Sequence, residues 1–556
     1  MSAVRLCMSS SDNMGTGGES DLSADGAKGR PSKQKADSKQ VEAALTVPSI
    51  VMSQTPKRQI GGGASSQTAT FSDWMAATPN VEWYLGTLGV LMIAAVLLAR
   101  SSWSKASVAM SAGGASPTTS AANQSAPTAP GTGHATPTCT ASGPANGSAS
   151  VAVFNMAEFQ AFQNNYLFVY LLCLFSDWLK GPYVYALYEQ YGFSTDQIAW
   201  LFAGGFLSSL VFGTFVGALS DKYGRKFMCI VFCVTYGLSA VTKVFPSFAI
   251  LFLGRVLSGI STSLLFTSFE SWMVTEHHTR QFPEALLTNT FVKQTLGNGL
   301  VAILAGFVAQ GAASCCGYAA PFLVAIPCLS FAGWHVSQWR ENYGNRSVRP
   351  LETITLGIAA ITSDSKLLWL GTCQSIFEAC MYLWVFFWTP AVSLPSEKEL
   401  IPYGLLFASY MAALMIGGAI AQNWQASLSN LAVAMHLMAA SSMALAALFF
   451  DQKGLVFLMC TIFEGSVGVY FPCHGTLRAH YVPDHTRSAV MNVFRFPMNA
   501  MVIIVLSLMP TPRTAFLLLA ASHLVSLFAL RRFQRLIATS NGSTSSSTGV
   551  DGGRDV

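Results

Sequence analysis

Between residues 164 and 530 the chain alternates twelve closely spaced apolar segments with short polar connections, and nothing else in the sequence constrains its fold as strongly. They run near 164–188, 198–220, 227–245, 248–274, 285–310, 318–336, 367–391, 402–421, 428–450, 454–476, 488–509 and 514–530. Each is about long enough to cross a hydrocarbon core of ~30 Å as a helix. In lipid, every backbone N–H and C=O must find its partner within the segment, so helices are the expected form. Hydrophobic residues make up 51% of the 556 and charged residues only 11%, against about a quarter charged in soluble domains. The expectation is an all-α, multi-pass membrane protein embedded in a lipid bilayer. The formal charge of +5 comes largely from helix ends, which argues against a nucleic-acid partner.

The polar stretch 339–365 divides the apolar body into two bundles of six helices, 159–338 and 366–535. If the first helix starts in the cytosol, cytoplasmic connections hold Lys222, Arg225, Lys226, Arg280, Arg340, Arg346, Arg349, Lys366, Arg478, Arg487, Arg531, Arg532 and Arg535. The other side holds only Lys243, Lys398, Lys453 and Arg513. Basic residues near helix ends stay in the cytosol, so both ends of the body, and the 339–365 loop, are read as cytoplasmic. Residues 1–80 and 536–556 lack apolar periodicity and read as disordered tails, and 101–158 as a low-complexity linker. A further apolar run within 81–100 is expected to form one extra N-terminal transmembrane helix. It would place a tail carrying Lys28, Arg30, Lys33, Lys35 and Lys39 outside, against the charge rule.

Two halves of matching helix number suggest internal repeats with a site near the bilayer midplane between them. Asp177 in the first helix stands opposite Glu378 in the seventh, and Lys293 in the fifth opposite Arg495 in the eleventh. An ionised residue at a helix centre costs about 2.5–3.5 kcal/mol. The body carries Asp177, Glu270, Glu378 and Glu464 against Lys180, Arg255, Lys293 and Arg495. One reading pairs them internally, as with Asp177 and Lys180 at i,i+3; the other puts them on a transport path. A tetrahedral dianion wants Arg, Lys and amide donors, which makes Lys293, Arg495, Asn492 and Asn289 the substrate-binding candidates. Asp177, Glu378 and Glu464 are then orienting or proton-carrying groups. Four acids balance four bases, so protonating one or two carboxylates leaves the cavity positive, as expected of an anion–proton symporter.

Enzyme signals are weak. Gly297-Asn298-Gly299-Leu300-Val301-Ala302 fits a dinucleotide fingerprint but lies in an apolar segment with no preceding strand. His277-His278 and His474 with His480 lack HExxH spacing, and no P-loop or GxSxG elbow occurs. The 12 cysteines show no zinc spacing. No enzyme activity, cofactor or metal is expected.

Between the second and third segments runs Gly217-Ala218-Leu219-Ser220-Asp221-Lys222-Tyr223-Gly224-Arg225-Lys226, which resembles the corresponding loop of the major facilitator superfamily. That resemblance implies the major facilitator fold with a cytoplasmic gate at Gly217, Asp221, Gly224, Arg225 and Lys226. Arg255-Val256-Leu257-Ser258-Gly259 resembles a second motif of the superfamily, whose arginine is associated with proton coupling. The repeat of the gate motif near Ala421-Gln422-Asn423-Trp424 lacks Asp and basic residues. Within the superfamily, the run from Phe175 through Asp177, Lys180 and Pro182 to Tyr188 is similar to the molybdate-anion transporter family. So are Leu264 to Trp272, Gly371 to Glu378, Trp388-Thr389-Pro390 and Tyr470-Phe471-Pro472. The resemblance covers about 159–532 and implies high-affinity molybdate uptake across the plasma membrane. Transport of sulfate or a neutral organic solute, or a sensor that keeps the fold, are the alternative readings.

Overall fold

The computed structural model describes residues 85–95, 97–98, 155–344, 350–393, 401–424, 427–483 and 486–547. Most of the expected N-terminal tail and linker therefore lies outside the described residues. Among them, twelve helices are long and apolar enough to cross a membrane. The first six spans are Met156–Gln190, Thr195–Tyr223, Arg225–Val244, Phe248–Thr279, Glu284–Cys316 and Ala320–Ser337. The last six are Ser365–Val392, Tyr403–Asn423, Leu428–Leu448, Lys453–Tyr481, Ala489–Leu508 and Pro512–Thr539. The described part of the extra N-terminal segment, Leu85–Ala95, is a shorter apolar helix whose Leu88 is buried in the main apolar core.

Polar residues at the ends set where several spans begin. Asn155 caps the first by accepting from the Ala157 N–H at 3.0 Å. Ser194 and Gln197 form a reciprocal capping box at the second. Asp364 accepts from the Lys366 N–H at 2.8 Å to start the seventh. The first span is discontinuous: its main segment ends at Trp178, and Gly181–Tyr183 form a short 3-10 turn before Val184–Gln190 resume. Pro182, without an N–H, fits at that restart. Because the main segment ends at Trp178, Asp177 lies at the break and not midway along an unbroken helix. The fourth span breaks at Phe266 and Thr267.

Two departures concern the connections. The central polar stretch contains a helix, Pro350–Ser363, whose Gly357 meets the backbone of Ala489 so closely that a Cβ would stand 2.5 Å from its carbonyl oxygen. The last helix continues to Ser547, into the expected tail; Ile537 packs on an apolar cluster, and the Thr539 hydroxyl bonds back to the Arg535 carbonyl at 3.2 Å.

The halves pack against each other at the end opposite the basic loops. There Tyr185 and Phe202 pack edge-on against Phe386 at 5.3 and 5.1 Å, and Tyr183 against Tyr403 at 6.0 Å. Gln310 accepts from Tyr183 at 2.7 Å and from the Gly404 N–H at 3.0 Å, joining fifth and eighth spans. Gly306 and Gly404 let these helices touch: a Cβ on Gly404 would lie 2.5 Å from the Gly306 carbonyl oxygen. At the basic end, the segment after the sixth span folds back on the first half. Trp339 stacks on Trp272 at 3.9 Å, Trp272 donates to the Arg340 carbonyl, and Trp339 to Asn165.

Candidate functional site

The loop between second and third spans turns at Gly224, whose φ of 111° is one that side chains resist. A Cβ there would also strike the Glu341 carboxylate at 2.5 Å. That carboxylate instead accepts from the N–H groups of Lys226 and Phe227 at 2.8 and 3.1 Å, satisfying free donors at a helix start. Asp221 and Arg225 form a 2.8 Å ion pair. Arg225 also donates to the Ser271 carbonyl at 3.3 Å and to Thr275, and its N–H bonds to the Asn342 carbonyl. The expected gate residues therefore bind second, third and fourth spans to the segment after the sixth, all within one half. Gly217 has open space beside it, so close packing does not explain that glycine.

Lys293 and Arg495 occupy matching places, roughly 12–14 Å into their helices at 1.5 Å per residue, but their surroundings differ. Lys293 donates to Gln163 on the first span at 2.5 Å. Gln163 in turn donates to Asn289 and Thr290 at 3.1 and 2.8 Å, so two expected site residues share one hydrogen-bonded group. Above it, Tyr166 donates to Gln294 and Trp178 to Asn298. Arg495 is exposed and reaches the other half: its Nη1 lies 3.4 Å from where a Cβ on Gly213 of the second span would stand. A guanidinium there faces the space between the halves, where a charge is tolerable. Asn492 is half-buried on the same helix.

Glu378 is held by a group from the second half. Gln374 and Tyr470 donate to its Oε1 at 3.1 and 2.8 Å, and Arg478 Nη1 stands 3.9 Å away. Glu464 is 3% exposed on the tenth span. Asp177 accepts from the Tyr236 hydroxyl, and the Lys180 ammonium lies over that same ring. Asp177 and Lys180 are thus linked through Tyr236. Arg255 is committed elsewhere, donating to the Leu201 carbonyl at 3.2 Å and covering the Phe202 ring at 4.5 Å.

Gln163, Tyr236, Tyr470 and Arg478 were not legible as site residues. Gln163 precedes the expected start of the first helix, and Arg478 reads as a loop residue until the tenth span is seen to extend to Tyr481. Aromatic residues in apolar segments carry no signal that separates packing from function.

The family described as sugar transporters with 12 transmembrane helices matches residues 144–460. A molybdate-anion transporter of Takifugu rubripes is 34% identical over 392 residues, spanning 64% of this chain and 80% of that protein. One of Xenopus tropicalis is 34% identical over 369 residues, 63% of this chain and 79% of that protein. The chain belongs to the molybdate-anion transporter family. A solved structure of the nucleoside transporter NupG, in a mutant form, superimposes with a TM-score of 0.55 at 12% identity, over 67% of this chain and 98% of its own. At that identity the likeness concerns the fold alone, which is that of the major facilitators. A molybdate-anion transporter family member with this fold is a multi-pass membrane transporter, and it carries Lys293 in its first half and Glu378 and Arg495 in its second.

Proposed function

We propose that this protein takes up molybdate with high affinity across the plasma membrane, in symport with protons, by alternating access of its two halves. The observation that carries this reading is Arg495: an exposed guanidinium from one half set against Gly213 of the other. The relatives are molybdate-anion transporters, which names the anion it would meet. Arg offers paired N–H donors in a plane, suited to a tetrahedral oxyanion. Lys293, with Asn289 alongside, supplies donors from the first half, and Asn492 from the second.

With the basic loops assigned to the cytosol, the contacts at the opposite end support an inward-facing reading. The gate at Asp221 and Arg225 would engage the second half once the cytoplasmic side closes. Coupling follows from Glu378. Ionised, it competes for Arg478, 3.9 Å away; protonated, it releases Arg478 to join Arg495 against a dianion. Glu464 is a second carrier, because a proton removes the cost of burying a charged carboxylate.

The test is uptake of nanomolar molybdate by molybdate-starved cells expressing the chain, with excess sulfate present. Uptake that survives sulfate, rises as external pH falls and collapses in Arg495→Ala is expected. Uptake abolished by sulfate would make the carrier a sulfate transporter. Flux indifferent to pH would remove the proton, and no flux from surface-expressed protein would favour a neutral solute or a sensor.

A further inference from the structure

Behind Glu378, in the buried core of the second half, three chemically soft or borderline donors converge from three spans. Cys373 Sγ lies 3.4 Å from His436 Nε2 and 3.9 Å from His474 Nε2, and the ligand atoms of the three residues all lie within 4.8 Å of one another. His436 and His474 are both 0% exposed, and so is Cys373. We infer that Cys373, His436 and His474 form a binding site for a monovalent soft metal ion, Cu(I).

The Cys373–His436 separation of 3.4 Å fits coordination, and His474, 3.9 Å from the sulfur and within 4.8 Å of the other nitrogen, would close on the ion. Metal bonds of about 2.0–2.3 Å meeting at tetrahedral or trigonal angles put neighbouring donors about 3.3–3.8 Å apart. The tautomer fits as well. His436 Nδ1 lies 2.8 Å from the Ala432 carbonyl, so it carries the proton and leaves the Nε2 lone pair toward the sulfur. Such a carbonyl contact is the usual way of orienting a ligating histidine. Ser526 packs beside the pair, its hydroxyl 2.9 Å from the Cys373 carbonyl and 3.0 Å from His436 Nε2. With the hydroxyl proton given to the carbonyl, the single Nε2 lone pair stays open to an ion.

Charge selects the ion. Thiolate and imidazole suit Cu(I) and Zn(II). With one thiolate and two neutral imidazoles, Cu(I) gives a neutral complex, whereas Zn(II) leaves a net positive charge in a membrane interior, where an unpaired charge is costly. Binding displaces the Cys373 thiol proton, which leaves to solvent, and no electron is transferred. The site would clamp seventh, ninth and tenth spans. It would also fix Tyr470, whose ring lies 4.4 Å from that of His474 while its hydroxyl holds Glu378.

The full-length protein, purified anaerobically in detergent, would be titrated with Cu(I) buffered by bicinchoninic acid, and the loaded protein measured by copper X-ray absorption. One Cu(I) per chain with one sulfur and two nitrogen neighbours is expected. Cys373→Ser and His474→Gln should each weaken retention at least tenfold, while Cys473→Ser leaves it unchanged. No stoichiometric binding, a sulfur-only shell, or retention untouched by Cys373→Ser would overturn the assignment, as would Zn(II) displacing Cu(I) at equal concentration. If a variant fails to fold, the absorption spectrum of the unsubstituted protein still decides.

Discussion

The Tyr470 hydroxyl donates a 2.8 Å hydrogen bond to Glu378 from the adjacent tenth span, while its ring lies almost parallel to Phe377 at 4.2 Å. The carboxylate is therefore aimed by a side chain that packing already holds still. Removing the hydroxyl leaves the stack intact, which makes Tyr470→Phe a clean probe. A hydrogen bond to a charged group is worth about 1.5–3 kcal/mol, so molybdate uptake should fall by about ten- to a hundredfold at unchanged surface abundance. Uptake equal to the unsubstituted protein, normalised to surface protein, would show that Glu378 needs no such aim.

Arg495 separates charge from geometry. Arg495→Lys keeps the charge but loses the planar fork, so it should raise the KM for molybdate more than it lowers the maximal rate. Arg495→Ala should abolish uptake. Concentration curves for both variants, side by side, provide the check; equal behaviour of Lys and Arg would mean that only the charge matters.

The contact of Gly404 with the Gly306 carbonyl leaves no room for a Cβ. Gly404→Val should hold the non-basic end open, with flux lost while the protein remains at the membrane. Cysteines placed beside Tyr403 should then react faster with a membrane-impermeant reagent added from that side. Unchanged labelling would show that the two helices do not need this contact to close.

Gly224 and Asp221 divide folding from turnover in one loop. Gly224→Ala meets both an unfavourable φ and the Glu341 carboxylate, so its melting temperature should drop by several degrees, consistent with about 1–3 kcal/mol of backbone strain. Asp221→Asn keeps the shape and loses the ion pair with Arg225. Its expected signature is slower uptake with little change in abundance or melting.

Much of the fold was legible because the bilayer is an unforgiving solvent: long apolar runs can only be helices there, and twelve of them with one polar gap leave few arrangements. Lys293, Glu378 and Arg495 stood out as candidates for the same reason, since each is expensive in lipid. Their partners did not. Gln163 and Tyr470 cost little to bury, so nothing in the chain's pattern hints that they meet a charge. Cys373, His436 and His474 sit on three different helices, and no local spacing joins them. The break after Asp177 belongs to Gly181-Pro182, while the early start of the first helix is set by Asn155 through a cap outside the apolar run.

The stack of Trp339 on Trp272 has a mechanical consequence. With Trp339 donating to Asn165, Asn342 to the Trp272 carbonyl at 3.1 Å, and the Gly344 N–H to Asp221 at 3.3 Å, the chain up to Gly344 is fastened to the first half. The helix from Pro350 packs chiefly against the eleventh span and travels with the second. In the proposed rocking of the halves, the described parts of the central connection are therefore cargo of different halves, 339–344 of the first and 350–363 of the second.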